Sequence, residues 1–515
     1  NAFYHVKKED GAQYPLSGVG DVNLYALFLE MTSKIRKEGG SIGMVVPTGF
    51  CTDDSTKNLF KYFVDTKTVH SIYDFENGNT VVAKQVSGKE TKTTERVFPA
   101  VHASYKFSLF TSLKTNQADY AFFLHTVKDL DDQRRHFEMS SEDVHLINPN
   151  TLTMPVIRSK KDFEVVKKVY ENSRVVWDDT VENGNTYNIQ YGPLFHMTND
   201  SNLFFDSPSS TRLPLYEGKL ISIYDHRFNS YEGDVDGKGN PKERETTLEE
   251  KQNPAFELKP QYYVEKEDVY KKCNATNKDT KSAKKKAESP FVEDEWFTEQ
   301  QNLPININQL CVSKEQIYLG YRDVTNVTNK RTVVSCLFPF SGVGNTIFLV
   351  RGIADEDKLL LNANLSCIPL DYIARCKIGG SHLSQFYFKQ LPIVPPLQYS
   401  KEEKDFVIAT SKKLLGTTNK MAKILNCPVT IWDTEQRAVL TSRLDAFYAL
   451  KYGLTREDFE FILDPEAVMG KGYPTETFPQ VKANDIAQYG EYRTKILDLK
   501  AYDELKEHGL WNLED

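Results

Sequence analysis

The feature that most constrains this chain is a repeated change of hydrophobic period between Asn23 and Ser112. From Asn23 to Arg36 the apolar residues Leu24, Leu27, Phe28, Met31 and Ile35 recur at helical spacing. Gly39 and Gly40 end that helix, because glycine accepts the left-handed cap at no steric cost. Ser41 to Val46 is then a short β-type run closed by Pro47-Thr48-Gly49. Asp53, Asp54 and Ser55 are placed to cap a second helix over 56–64, and Val69 to Phe75 reads as another strand. After a polar excursion from Glu76 to Arg96, Tyr105 to Ser112 reads as a third strand. Helix and parallel-type strand in alternation predict an open α/β sheet.

Such a pattern does not continue through all 515 residues. At roughly 150 residues per domain, about three domains are expected. Between about 155 and 400, short aromatic and β-branched runs are broken by Asn, Asp, Gly and Pro, which predicts a mixed α+β region. Residues 229–300 hold a polar, highly charged stretch with Lys284-Lys285-Lys286, part of which reads as a mobile insertion. From Lys401 long helices return, with Leu440, Leu444, Phe447 and Leu450 on one stripe. No apolar run approaches the 18 or so residues of a membrane span, and no leader is visible, so a cytoplasmic protein is expected. Seven cysteines without Cys-x-x-Cys spacing argue for reduced thiols and against a zinc site. Net charge is -8, yet residues 301–400 carry 9 basic against 6 acidic side chains, the one positive block. An anion-facing surface belongs there if anywhere.

Four strings in the first block resemble the second half of the catalytic domain of large N6-adenine DNA methyltransferases, of the Type IIG restriction-modification and BREX phage-defence kinds. They are Tyr14-Pro-Leu-Ser-Gly-Val-Gly-Asp-Val-Asn-Leu-Tyr-Ala-Leu-Phe-Leu-Glu30, Gly40-Ser-Ile-Gly-Met-Val-Val-Pro-Thr-Gly-Phe50, Ser71-Ile-Tyr-Asp-Phe-Glu-Asn77 and Phe98-Pro-Ala-Val-His-Ala-Ser-Tyr-Lys-Phe-Ser108. Leu215 to Ile221, Tyr224 to Phe228, Tyr321 to Val324, Gly379 to Leu383 and Leu391 to Pro396 resemble the same family's target-recognition region. Leu444 to Leu454 and Tyr489 to Thr494 resemble its C-terminal helices. The family's Asn-Pro-Pro-aromatic signature is absent; Asn253-Pro254-Ala255-Phe256 lacks the second proline, and Gly18-Val19-Gly20 is a lone Gly-x-Gly. The chain therefore reads as beginning inside a methyltransferase domain.

The resemblance implies three parts: residues 1–155 as the second half of a Rossmann-like class I methyltransferase sheet, 156–400 as a target-recognition domain, and 401–515 as a helical region. It implies S-adenosylmethionine as the intact enzyme's cofactor, with Asp21 and Phe28 on its side. It places Pro47, Thr48, Phe50, Tyr105 and Phe107 at a pocket for a flipped adenine. Alternation along the strand puts Tyr105 and Phe107 on one face and Lys106 on the other, with Phe110 as a rival for the stacking role. Lys219, His226, Arg227, Arg322, Asn345 and His382 are the candidate contacts to double-stranded DNA. Each has a structural alternative: Phe28 as core, Pro47 to Phe50 as a turn, Asp225 paired with Arg227, Gly342 to Asn345 and Gly379 to His382 as hairpin turns. No catalytic residue and no metal ligand is expected in this chain, which by itself is expected to be inactive. An upstream nuclease domain or separate subunits are conceivable partners. The rival readings are a DNA-binding specificity module serving a separate catalytic chain, and an interaction scaffold built on a decayed methyltransferase fold.

Overall fold

A computed structural model describes residues 13–18, 22–78, 80–86, 89–233, 235–237, 239, 241–274, 316–378 and 380–512. Asp21, Gly379, Cys311, the lysine run 284–286 and Val19-Gly20 lie outside the described residues. The chain forms two compact units, residues 1–184 with 452–477, and residues 185–451 with 478–515.

In the first unit α1 (Leu24–Ile35) packs on β1 (Ile42–Pro47). The buried face of α1 is Ala26, Leu27, Leu29 and Glu30, whereas Leu24, Phe28 and Ile35 are 67%, 53% and 70% exposed. The predicted stripe is thus split: the helix is apolar on two sides, and only one meets the sheet. Glu30 anchors the preceding turn, its carboxylate accepting the Ser17 backbone N–H at 2.8 Å and the Ser17 hydroxyl at 2.7 Å. After β1 come a single helical turn, Gly49–Thr52, and the longer helix α2 (Lys57–Asp65). Thr56 precedes it with its hydroxyl turned back to the Gly49 carbonyl at 2.7 Å, and Asp53 folds over Gly49. The expected cap from the acidic pair is therefore not formed by Asp53. Then come β2 (Val69–Glu76), a hairpin of β3 (Thr80–Val86) and β4 (Lys89–Glu95), β5 (Lys106–Ser112), β6 (Gln117–Leu124), β7 (Phe137–Ser140), α3 (Ser141–Ile147) and α4 (Lys160–Glu171). The hairpin lies within the polar excursion from Glu76 to Arg96; its Val and Thr residues suit a strand despite their charged neighbours.

The main sheet has the order β1-β5-β2-β6-β7. β2 and β6 pair in parallel, whereas β5 runs antiparallel to both β1 and β2, so the sheet is mixed. One face carries Phe50, Phe60, Phe63 and Phe110 in edge-on and tilted ring contacts. The other carries Phe75, Ala121 and Leu124, with Phe107 and Leu109 packed against them.

The second unit contains two four-stranded sheets. Its strands are β8 (Gln190–Gly192), β9 (Phe204–Phe205), β10 (Arg212–Tyr216), β11 (Tyr263–Glu265), β12 (Ile317–Arg322), β13 (Ser335–Pro339), β14 (Gly342–Val343) and β15 (Ile347–Arg351). One sheet is ordered β9-β11-β10-β14 and the other β13-β12-β15-β8. Its helices include α5 (Asp355–Ser366), α6 (Ile368–Arg375), α7 (Lys401–Leu415), α8 (Thr434–Lys451), α9 (Pro479–Tyr489) and α10 (Arg493–His508). Leu440, Leu444 and Phe447 of α8 are buried as their spacing predicts. No disulfide joins the six described cysteines. No described helix is long and apolar enough to cross a membrane.

Candidate functional site

In the first unit, the strand ends that follow β1 and β2 bring together residues far apart in sequence. Asp74 of β2 and Ser108 of β5 face each other in register, and Thr48 follows β1 beside them. The Thr48 hydroxyl donates to the Asp74 carboxylate at 2.5 Å and lies 2.9 Å from the Ser108 hydroxyl. The Phe123 backbone N–H donates to the other Asp74 oxygen at 3.3 Å. Phe123 itself adopts φ 58°, a left-handed conformation costly for a bulky residue, where the β2–β6 register shifts. Burial pushes the Asp74 carboxyl up, and the Thr48 hydrogen bond is the chief counterweight. Beside this buried row, Lys106 pairs with Glu76 at 2.7 Å and sits 4.9 Å from the Phe123 ring centre.

The aromatic candidates separate by depth. Phe107 is half-buried, stacked on Phe75 at 5.2 Å and 4°, with Phe98 edge-on at 4.6 Å. Tyr105, just before β5, is 63% exposed, and Pro47 is exposed as well. Phe50 and Phe110 are fully buried in the opposite face of the sheet, which takes them into the core and away from Phe107. The segment that delivers Tyr105 is tied down by the buried Asn77. Its amide donates to the Phe98 and Val101 carbonyls at 3.0 and 3.1 Å, and its carbonyl accepts the Phe98 N–H at 2.8 Å. Sequence reasoning did not single out Asp74, Asn77 or Ser108. Polar residues at buried strand positions were the signal present, at Asp74 and Ser108 within otherwise apolar alternation. Phe28 lies on the uncovered side of α1 with Leu24.

The second unit sorts the DNA candidates differently. Arg227 is 1% exposed, and its guanidinium donates to the carbonyls of Glu250, Lys251, Asn253 and Phe256 at 2.9–3.3 Å. Asp225 accepts the Arg227 backbone N–H at 3.0 Å and pairs with Lys251 at 3.1 Å. His226 is buried, and desolvation, with Arg227 adding to it, lowers its pKa to about 3. Arg322 gives its guanidinium to the Ile221 carbonyl and lies 5.7 Å from the Phe228 ring; burial lowers its pKa to about 10. Lys219 is exposed but paired with Glu243 at 2.9 Å. Asn345 accepts the Met197 N–H at 3.0 Å. A Cβ on Gly342 would meet Val264 at 2.4 Å, and one on Gly344 would meet Met197 at 2.7 Å, so close packing accounts for both glycines. His382 is exposed, its Nδ1 2.9 Å from Asp323. No group of three or more His, Cys, Asp or Glu among the described residues is arranged to hold a metal.

Residues 4–81 match the Eco57I restriction-modification methylase family. No curated protein sequence matches the chain. Among solved structures the chain is similar to the type IIG restriction endonuclease BpuSI, with 11% identity over 86% of this chain and 51% of that one, at a TM-score of 0.26. It is also similar to the Type IIL restriction-modification enzyme MmeI in complex with DNA, with 8% identity over 92% of this chain and 53% of that one, at a TM-score of 0.34. The chain spans about half the length of each.

Proposed function

We propose that this chain is the C-terminal part of a site-specific DNA methyltransferase acting on adenine N6, in restriction-modification or phage defence. The first unit would supply part of the base pocket and cofactor wall, and the second the target recognition. The observation that carries the reading is the restriction-modification methylase match over residues 4–81, which ends beside the strand ends where Thr48, Asp74 and Ser108 converge. Ligands of α/β sheets collect at such carboxyl ends of strands.

The chemistry asks for positioning more than for activation. The adenine amino lone pair is delocalised into the ring, so the base must leave the duplex, stack on an aromatic and have its amino group held by acceptors. In this chain Tyr105 and Phe107 are the stacking surfaces, one exposed and one braced by Phe75 and Phe98. The acceptors belong to an Asn-Pro-Pro-aromatic motif that these residues do not include. S-adenosylmethionine supplies a methyl group on a sulfonium, already a good electrophile. The uncovered Phe28 ring and the Leu24 side chain on α1 fit the flat apolar contact its adenine needs. The same uncovered face supports the view that α1 has a further partner.

The test is methyl transfer by the natural full-length protein, using labelled S-adenosylmethionine and duplex DNA, with the product base identified after digestion. N6-methyladenine is expected. Methylcytosine, or an unlabelled duplex, overturns the assignment. Salt-dependent duplex binding without any binding of S-adenosylmethionine would favour instead a specificity module that serves a separate catalytic chain.

A further inference from the structure

One exposed loop of the second unit is held by an unusual amount of buried charge. Residues 324–332 leave β12, and their path is fixed from below by Arg375 and Asp371 of α6. Arg375 Nε donates to Asp371 at 2.9 Å, while its Nη atoms donate to the carbonyls of Val327, Asn329 and Lys330 at 2.5, 2.7 and 3.0 Å. The other Asp371 oxygen accepts the N–H groups of Thr332 and Val333 at 2.8 and 2.6 Å. Thr325 closes the base of the loop by donating its hydroxyl to the Thr332 carbonyl at 2.5 Å. A second segment is attached alongside: Thr325 N–H donates to Ser381 O at 2.9 Å, Leu383 N–H donates to Asp323 O at 2.7 Å, and His382 lies against Asp323. The Arg375 and Asp371 side chains are 7% and 0% exposed. Desolvating such a pair is costly unless its remaining donors and acceptors are satisfied. Three loop carbonyls and the N–H groups of Thr332 and Val333 bond to this pair, and Arg375 also lies 4.4 Å from the Phe478 ring centre.

That loop presents Asn326, Thr328, Asn329 and Lys330 to solvent, with Val324 55% exposed and His382 beside it. Residues 324–332 and 380–383 contain no carboxylate. The Asn326 side chain is used locally, accepting Thr328 N–H and hydroxyl at 2.9 Å each. We infer that this rigid loop is a DNA-reading element, in which Asn329 meets a base edge and Lys330 a phosphate, and Arg375 is the positioning residue. The chemistry matches: an amide pairs bidentately with adenine, a lysine suits phosphate, and an exposed valine suits a thymine methyl. A rigid scaffold under a polar loop is how base-reading groups are kept in register. The inference rests on the proposed function insofar as the partner is duplex DNA.

The experiment is anisotropy titration of a fluorescent duplex pool with a randomised interior across a salt series, using the full 515-residue chain, Asn329→Ala, Lys330→Ala and a distant control, Lys500→Ala. Circular dichroism confirms that all are folded. Lys330→Ala should lower the slope of log affinity against log salt by about one, uniformly across sequences. Asn329→Ala should leave the slope unchanged and cut preference at one base position by about tenfold, read by sequencing the bound pool. Wild-type binding with neither effect overturns the loop assignment while leaving the DNA reading standing. No duplex binding at low salt, either by the wild-type chain or by the natural full-length protein, overturns both.

Discussion

Arg227 offers the sharpest separation of a structural arginine from a DNA-contacting one. Its guanidinium serves four carbonyls between Glu250 and Phe256 and the Thr417 hydroxyl at 3.3 Å. Two of those carbonyls, Glu250 and Lys251, lie in the last turn of the short helix Leu248–Gln252, where the Glu250 carbonyl also accepts the Asn253 N–H at 3.3 Å. In Arg227→Met the stem volume is retained and the donors vanish. Leaving a buried acceptor unsatisfied costs about 1–3 kcal/mol. Taking the two shortest bonds, to Lys251 at 2.9 Å and Phe256 at 3.0 Å, as irreplaceable gives a loss of about 4 kcal/mol, the longer ones being offset by relief of the guanidinium's own desolvation. For a unit of roughly 300 residues, with an unfolding entropy of about 2.1 cal/mol/K per residue, that corresponds to a fall in Tm of roughly 6 °C. The assay is differential scanning calorimetry together with duplex titration at low temperature, where the variant is still folded. Binding there should keep the wild-type salt slope. An unchanged Tm with a slope reduced by about one would refute the reasoning and return Arg227 to the DNA surface.

Three further outcomes follow from the same kind of argument. Thr48→Val removes the hydroxyl that donates to buried Asp74, and should destabilise the first unit by about 1–3 kcal/mol. Thr48→Ser should restore most of it, and equal stability of all three proteins in urea would count against the buried row. His226 is held neutral to about pH 3 in the folded unit and takes its proton near 6.5 when unfolded. The unfolded state therefore binds the extra proton between those values, and stability falls as pH drops from 6.5 towards 3, by up to about 1.4 kcal/mol per pH unit. His226→Leu should flatten that acid dependence by one proton; an identical pH profile would show that other groups carry it. Arg375→Lys keeps the charge but cannot reach three loop carbonyls and Asp371 at once. Amide exchange across 327–333 should quicken while α8 and α10 stay protected, and unchanged exchange would mean the loop is held by something else.

The first unit shows how far local signals carry. The run from Leu24 to Ile35 is a helix, and the β-type runs near 42–47, 69–76 and 106–112 are strands, because periods of 3.6 and 2 are written into consecutive residues. Alternation alone also placed Tyr105 and Phe107 apart from Lys106. Local pattern could not say which apolar side of α1 would meet the sheet, since Leu27 and Phe28 are equally apolar neighbours. Over 80–95 the polar composition gave no strand signal, yet the backbone pairs as a hairpin.

What the sequence determined by itself, then, is the kind of element at each strongly periodic stretch and the residue chemistry available there. Tertiary structure decided the rest. It set β5 antiparallel between β1 and β2, which brings Thr48, Asp74 and Ser108 together across 26 and 60 residues of chain. It buried Arg227 under carbonyls 23 to 29 residues onward, so an arginine that reads as a DNA contact in a polar string becomes a helix-end clamp. It also spent Arg375, silent in the sequence, on holding a loop some 45–48 residues earlier. The physical reason is the same in each case. Periodicity is settled between residues one turn or one pleat apart, whereas a buried polar group takes whichever distant partner the closed chain delivers, and no local pattern records that partner.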